Sequence, residues 1–100
     1  MKANYLLRKR GTLAFCYWQM PGSPMAALVF ASGEDLYWFR RKVIPKTERE
    51  SWEAVKMTDQ QLVEIMKEMG GLYLFTRHGP DGEAGYAWVS EQAAETMLAR

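Results

Sequence analysis

Side chains able to do covalent or metal chemistry are scarce in this 100-residue chain, which holds one histidine, His78, and one cysteine, Cys16. A nucleophilic Cys/His pair would have to join those two. Cys16 stands in the apolar run Phe15-Cys16-Tyr17-Trp18, where burial raises a thiol pKa and so disarms it. One nitrogen and one sulfur ligand also fall short of the four that a structural zinc site takes. Glu64 and Glu68 are spaced one turn apart on the polar side of an expected helix, which is the setting of solvated carboxylates. No glycine-rich loop joins a strand to a helix, so no phosphate cradle is expected. These observations predict a protein without catalytic residues, metal or cofactor.

One tripeptide has a form worth weighing. Arg77-His78-Gly79 follows the apolar run 72–76 and is similar to the phosphohistidine signature of histidine phosphatases. That chemistry needs a second histidine, and His78 is the only one. Gly79, Pro80 and Gly82 instead suit a turn between two strands.

The stronger functional signal is cations interleaved with rings. Tyr37-Trp38-Phe39-Arg40-Arg41-Lys42 forms one such run, and Arg8-Lys9-Arg10 supplies a second basic cluster. If residues 36–44 are a strand, alternation puts Trp38, Arg40 and Lys42 on one face and Tyr37, Phe39, Arg41 and Val43 on the other. With the second set against the core, the first becomes an exposed aromatic-cation stripe, the composition of a protein-binding hot spot. The expected function is therefore a non-enzymatic protein-binding module: an inhibitor, immunity-type or regulatory accessory protein. Its partner-binding residues are Trp38, Arg40 and Lys42, with Arg8, Lys9, Arg10 and Arg41 beside them. The competing expectation is single-stranded nucleic-acid binding by the same basic half. In a meander, however, the two basic clusters sit at opposite ends, roughly 20 Å apart at ~3.3 Å per residue.

Charge is divided along the chain. Residues 1–46 carry eight basic and two acidic side chains, whereas 47–100 carry five and ten, which leaves a net charge of +1. Oppositely charged halves can attract an outside partner, each other, or a second copy, so a homodimer is among the expectations. An apolar content of 48% with 13% aromatics is enough for one core, so 1–100 is expected to be a single domain. The apolar stretch Tyr5-Leu6-Leu7 is cut by Arg8-Lys9-Arg10, and no run reaches the length of a membrane span. A cytoplasmic protein with no membrane partner is expected.

The elements that must position these residues read as an α+β fold. Strands are expected over 4–10, 13–20, 26–31 and 36–44, separated by Gly11, the Pro21-Gly22-Ser23-Pro24 turn and Ser32-Gly33-Glu34-Asp35, to give an antiparallel four-stranded meander. Thr47-Glu48-Arg49-Glu50 suggests a short helix over 48–55. A better capping box, Thr58-Asp59-Gln60-Gln61, precedes Leu62, Ile65, Met66 and Met69 at helical spacing, with Gly70-Gly71 as the stop. Two strands, 72–77 and 85–89, then form a C-terminal β-hairpin around 78–84. A short C-terminal helix begins at Ser90, presents Ala93, Ala94, Met97 and Leu98 on one face, and places Arg100 in its last turn.

Overall fold

The run Ala26-Ala27-Leu28-Val29-Phe30 has no polar side chain, and all five residues are buried. A strand of this kind must be covered on both faces. The computed structural model describes residues 5–77 and 83–98 and shows how that is done. In chain order the elements are β1 (Tyr5–Lys9), β2 (Tyr17–Trp18), β3 (Ala26–Phe30), α1 (Gly33–Lys42), a 3₁₀ turn (Lys46–Ser51), β4 (Trp52–Lys56), α2 (Asp59–Met69), β5 (Gly71–Arg77), β6 (Ala84–Ser90) and α3 (Glu91–Leu98). The strands form a mixed sheet in the order β4-β1-β3-β5-β6, with β2 pairing onto β3. The mixed α/β character is as expected; the strand order is not that of a meander.

Alternation sorts the core into two layers. Leu6, Ala27, Val29 and Leu72 point to the face covered by α2 and α3, where they meet Leu62, Met66 and Ala94. Leu7, Leu28, Phe30, Tyr73 and Phe75 point to the other face, where they meet Leu36 and Phe39 of α1. The second face is the aromatic one. Phe30, Phe39 and Phe75 form a triangle with ring centroids 5.2 to 5.5 Å apart.

The stretch 36–44, expected as a fourth strand, is helical through Lys42. Its Tyr, Trp and Phe residues favour strands by propensity, but three other features outweigh that. Ser32 is an N-cap whose Oγ accepts the Asp35 backbone N–H at 3.1 Å. Glu34 and Asp35 lie in the first turn and Arg40, Arg41 and Lys42 in the last, the arrangement the helix dipole favours. Leu36 and Phe39, three apart, are the buried pair. The short helix expected over 48–55 is likewise replaced. Lys46–Ser51 is a 3₁₀ turn with no side-chain cap, and Trp52–Lys56 pairs antiparallel with all of β1, from Tyr5 opposite Lys56 to Lys9 opposite Trp52.

The stretch 13–20 holds only a two-residue strand, because β1 and β3 diverge there. They pair antiparallel at Tyr5 and Phe30, then separate, and the chain folds a V into the gap. One arm of the V bridges to β1 at Arg8 and Phe15; the other, β2, pairs with Ala26 and Ala27 of β3. Cys16 is the apex. Its N–H donates to the Leu7 carbonyl at 2.8 Å and its carbonyl accepts the Leu28 N–H at 3.0 Å. The wedge thereby satisfies backbone groups that the fork would otherwise leave open.

From Thr58 onward the chain follows its local signals closely. Thr58 and Gln61 form the reciprocal capping box of α2, and Gly70 ends it at φ 76°. β5 lies parallel to β3, with Leu28 opposite Tyr73, and antiparallel to β6 over seven residues. Ser90 Oγ accepts the Ala93 N–H at 3.3 Å, which caps α3. His78 and its neighbours to Gly82, Arg100, and the side chains of Met97 and Leu98 lie outside the described residues.

Gly71 begins β5 directly beneath the Trp88 ring. A Cβ there would stand 2.6 Å from Trp88 Cζ2 and 2.5 Å from the Val89 carbonyl oxygen. Both obstacles belong to the paired strand β6 and cannot step aside cheaply. Gly71→Ala is expected to destabilise the fold by about 1–3 kcal/mol, measured as a lowered urea midpoint with an unchanged m-value.

Candidate functional site

An α-helix leaves its last four carbonyls without intrahelical donors. In α1 two of those carbonyls, with that of Ile44 just beyond the helix, are met by Arg49, which returns from the 3₁₀ turn. Its Nε donates to the Arg40 and Ile44 carbonyls at 3.2 and 3.3 Å, and its Nη2 donates to the Arg41 carbonyl. Arg40 answers by donating Nε and Nη2 to the Arg49 carbonyl at 3.1 and 2.8 Å. Two guanidinium groups are thus held side by side, their like charge offset by carbonyl oxygens and the negative end of the helix dipole.

Beside this clamp lies a hollow of about 250 Å³ lined by Tyr37, Arg40, Arg41, Arg49 and Glu50. Tyr37 is 60% exposed, and the Arg41 guanidinium carbon lies 5.4 Å from its ring centroid, within cation–π range. Lys42 is exposed on the same end of the helix.

The second basic cluster approaches the same turn. Arg10 donates its backbone N–H to the Ser51 carbonyl at 2.7 Å and its Nε to the Glu50 carbonyl at 3.1 Å. Arg10 and Arg40 therefore bond consecutive carbonyls, those of Glu50 and Arg49. The expected separation of about 20 Å rested on a meander geometry. It fails because the 3₁₀ turn leads into β4, the strand that pairs with β1. Lys9 is exposed beside Arg10. Arg8 is engaged: its Nε and Nη2 donate to Glu53 Oε1 at 3.0 and 2.8 Å, across the directly paired positions of β1 and β4.

Trp38, Arg40 and Lys42 do not share a stripe. Two residues along a helix turn the side chain through about 200°, so Arg40 faces away from Trp38 and Lys42, which stand one turn apart on the same side of α1. Trp38 is half-buried, its ring 5.9 Å from Phe75 and 5.3 Å from the Arg77 guanidinium. Arg77 in turn pairs with Glu34 at 3.4 Å and Asp35 at 3.5 Å. The exposed ring of the basic end is Tyr37, which the strand reading had turned inward. Arg49 was also missed, since nothing local in Thr47-Glu48-Arg49-Glu50 announces a long-range cap. The clue available for Tyr37 was Ser32 followed three residues later by an acid.

A second group of rings gathers on the aromatic face toward β6. Trp18 stacks on Tyr86 with centroids 4.0 Å apart and planes 8° from parallel, and Trp88 meets Tyr73 edge-on at 5.1 Å. Tyr73 also fastens the Pro21-Pro24 turn by donating its hydroxyl to the Pro24 carbonyl at 2.6 Å. Cys16 belongs to this neighbourhood, and burial pushes its thiol up to about 11. Tyr86 is raised as well, first by its own burial and second by the charge that Cys16 would carry.

The chain matches no protein-family model, no curated protein and no solved structure. Among the described residues no group of three or more His, Cys, Asp or Glu side chains is placed to hold a metal ion, and no helix is long and apolar enough to cross a membrane.

Two outcomes test this geometry. Removing the clamp in Arg49→Ala should lower stability by roughly 1.5–3 kcal/mol, the range for charge-assisted hydrogen bonds, and Arg49→Lys should not restore it because an ammonium cannot span the three carbonyls; thermal unfolding of both variants measures this. For Cys16, the folded state keeps its proton after the unfolded chain, at its ordinary 9.0, has lost its own. Folding stability should therefore decline as pH rises from about 9 toward 11, and less so in Cys16→Ser.

Proposed function

We propose that the protein is a non-enzymatic binding module whose contact surface is the basic end of α1, and that its partner is a protein presenting acidic groups. The observation that carries this reading is the exposed Tyr37 ring under Arg41, beside a hollow whose walls are the fixed guanidinium groups of Arg40 and Arg49. A large ring and prepositioned arginines are the residue types that dominate binding hot spots, and groups already immobilised lose little entropy on docking. Lys42 extends this surface from α1, and Lys9 and Arg10 extend it from the end of β1. Arg40 both walls the hollow and holds the end of α1, whereas Trp38 and Arg8 serve the surface indirectly, Trp38 by packing on Phe75 and Arg8 by its ion pair with Glu53 between β1 and β4. An inhibitor or regulatory accessory protein works through a surface of this kind, and a cytoplasmic site of action is part of the proposal.

The convergence of Arg10 with Arg40 on one turn favours a second reading, a single-stranded nucleic acid whose phosphates follow the cations. The rings weigh against it. Trp18, Tyr86 and Trp88 are half-buried, with Trp18 stacked on Tyr86 and Trp88 packed edge-on against Tyr73, which leaves them poor platforms for the open base stacking that single strands use.

Co-purification from the native host with Tyr37→Ala/Arg41→Glu as control separates the readings. A protein bound by the native chain and held at least about tenfold more weakly by the double variant supports the first. Retention of single-stranded RNA or DNA that falls steeply with salt and with Arg41→Glu supports the second. Unchanged partner binding by a folded double variant overturns both.

A further inference from the structure

Among the described residues, the far edge of the sheet carries none of the features that keep edge strands apart. Natural edges are blunted by charge, proline, bulges, shortness or a covering segment. β6, Ala-Gly-Tyr-Ala-Trp-Val-Ser, has no charged residue and no proline, spans seven residues, and pairs with β5 in unbroken register from Gly71 opposite Ser90 to Arg77 opposite Ala84. Among the described residues no strand pairs with its outer side. The opposite edge makes the contrast: β4 is five residues long and carries Glu53 and Lys56.

We propose that β6 is a dimerisation edge, pairing antiparallel with β6 of a second copy about a two-fold axis at Ala87. The occupant follows from the strand's own sequence. In a two-fold antiparallel pair, residues equidistant from the axis stand opposite each other on the same face. Centring on Ala87 sets Tyr86 opposite Trp88 of the second copy and Trp88 opposite its Tyr86, all on the aromatic face. Aromatic cross-strand pairs of this kind stabilise sheets, and here they prolong the ring cluster already formed by Trp18, Tyr86, Tyr73 and Trp88. On the helical face, Gly85 would stand opposite Val89, a small residue against a larger one, with Ala87 against Ala87 at the centre. A charged strand placed against its own copy often meets like charge; within β6 none meet, and the nearest acids, Glu83 and Glu91, stand just beyond its two ends. The pairing joins two sheets into one continuous sheet and leaves the basic end of α1 free, so it does not depend on the function proposed above.

Ala87 is exposed, so substitutions there test the edge without disturbing the core. Sedimentation of the native chain should give a dimer, and Ala87→Lys, which opposes two lysines at the axis, should give a folded monomer with an unchanged circular dichroism spectrum. Ala87→Cys should form an intermolecular disulfide on mild oxidation, because directly opposite strand positions lie within reach of a disulfide. Ala54→Cys on β4 should cross-link far more slowly. A native chain that is monomeric at high concentration overturns the proposal, as does a dimer that survives Ala87→Lys and fails to cross-link through Ala87→Cys. Capture of a foreign peptide strand by a monomeric chain would overturn it too.

Discussion

Everything in this architecture answers to the need to bury β3 on both faces while satisfying its backbone. Five consecutive apolar residues cannot lie against water, so one helical layer must cover Ala27 and Val29 and another must cover Leu28 and Phe30. β5 satisfies one side of the strand in parallel. The other side is shared, because β1 pairs with it only near Phe30 and the V of residues centred on Cys16 takes over beyond the fork. The parallel pair with β5 requires a long connection, and the chain between the two strands supplies α1, β4 and α2. The basic end of α1 is a product of that connection.

The sequence was most legible where local chemistry and tertiary demand agree. Thr58, Gln61 and Gly70 state the ends of α2 in short-range terms, and the apolar spacing of Leu62, Met66 and Met69 states its face. Nothing distant contradicts them. At 36–44 the two levels conflict: Tyr37, Trp38 and Phe39 have strand propensity, while Ser32, the acidic first turn and the basic last turn specify a helix. The dipole and cap prevail because Leu36 and Phe39 can then descend together onto Phe30 and Phe75. β4 was illegible for a different reason. Its identity as a strand depends on β1, more than forty residues away, and no neighbour of Trp52 records that partner.

The candidate site divides along the same line. Its ingredients, cations beside rings, are plain in the one-dimensional string. Which ring faces water and which arginine is consumed by carbonyls depend on helical periodicity and on the return of Arg49, both products of the tertiary arrangement. An arginine can mark a contact surface or hold a helix end, and composition does not distinguish the two. Here Arg49 and Arg40 hold the end, and Tyr37, Arg41 and Lys42 are displayed by it.

The pairing of β1 with β4 carries a kinetic consequence. Arg8 and Glu53 are 45 residues apart in sequence, and β3 waits equally long for β5, whereas β5 and β6 are near neighbours. The sheet cannot zip up in chain order. The segment from α2 to α3 can assemble from local contacts, but the N-terminal strands must find partners across large loops whose closure entropy is lost before the contacts form. The slow steps are therefore the long-range pairings of β1 with β4 and of β3 with β5, and the Cys16 wedge, which needs β1 and β3 both in place, follows them.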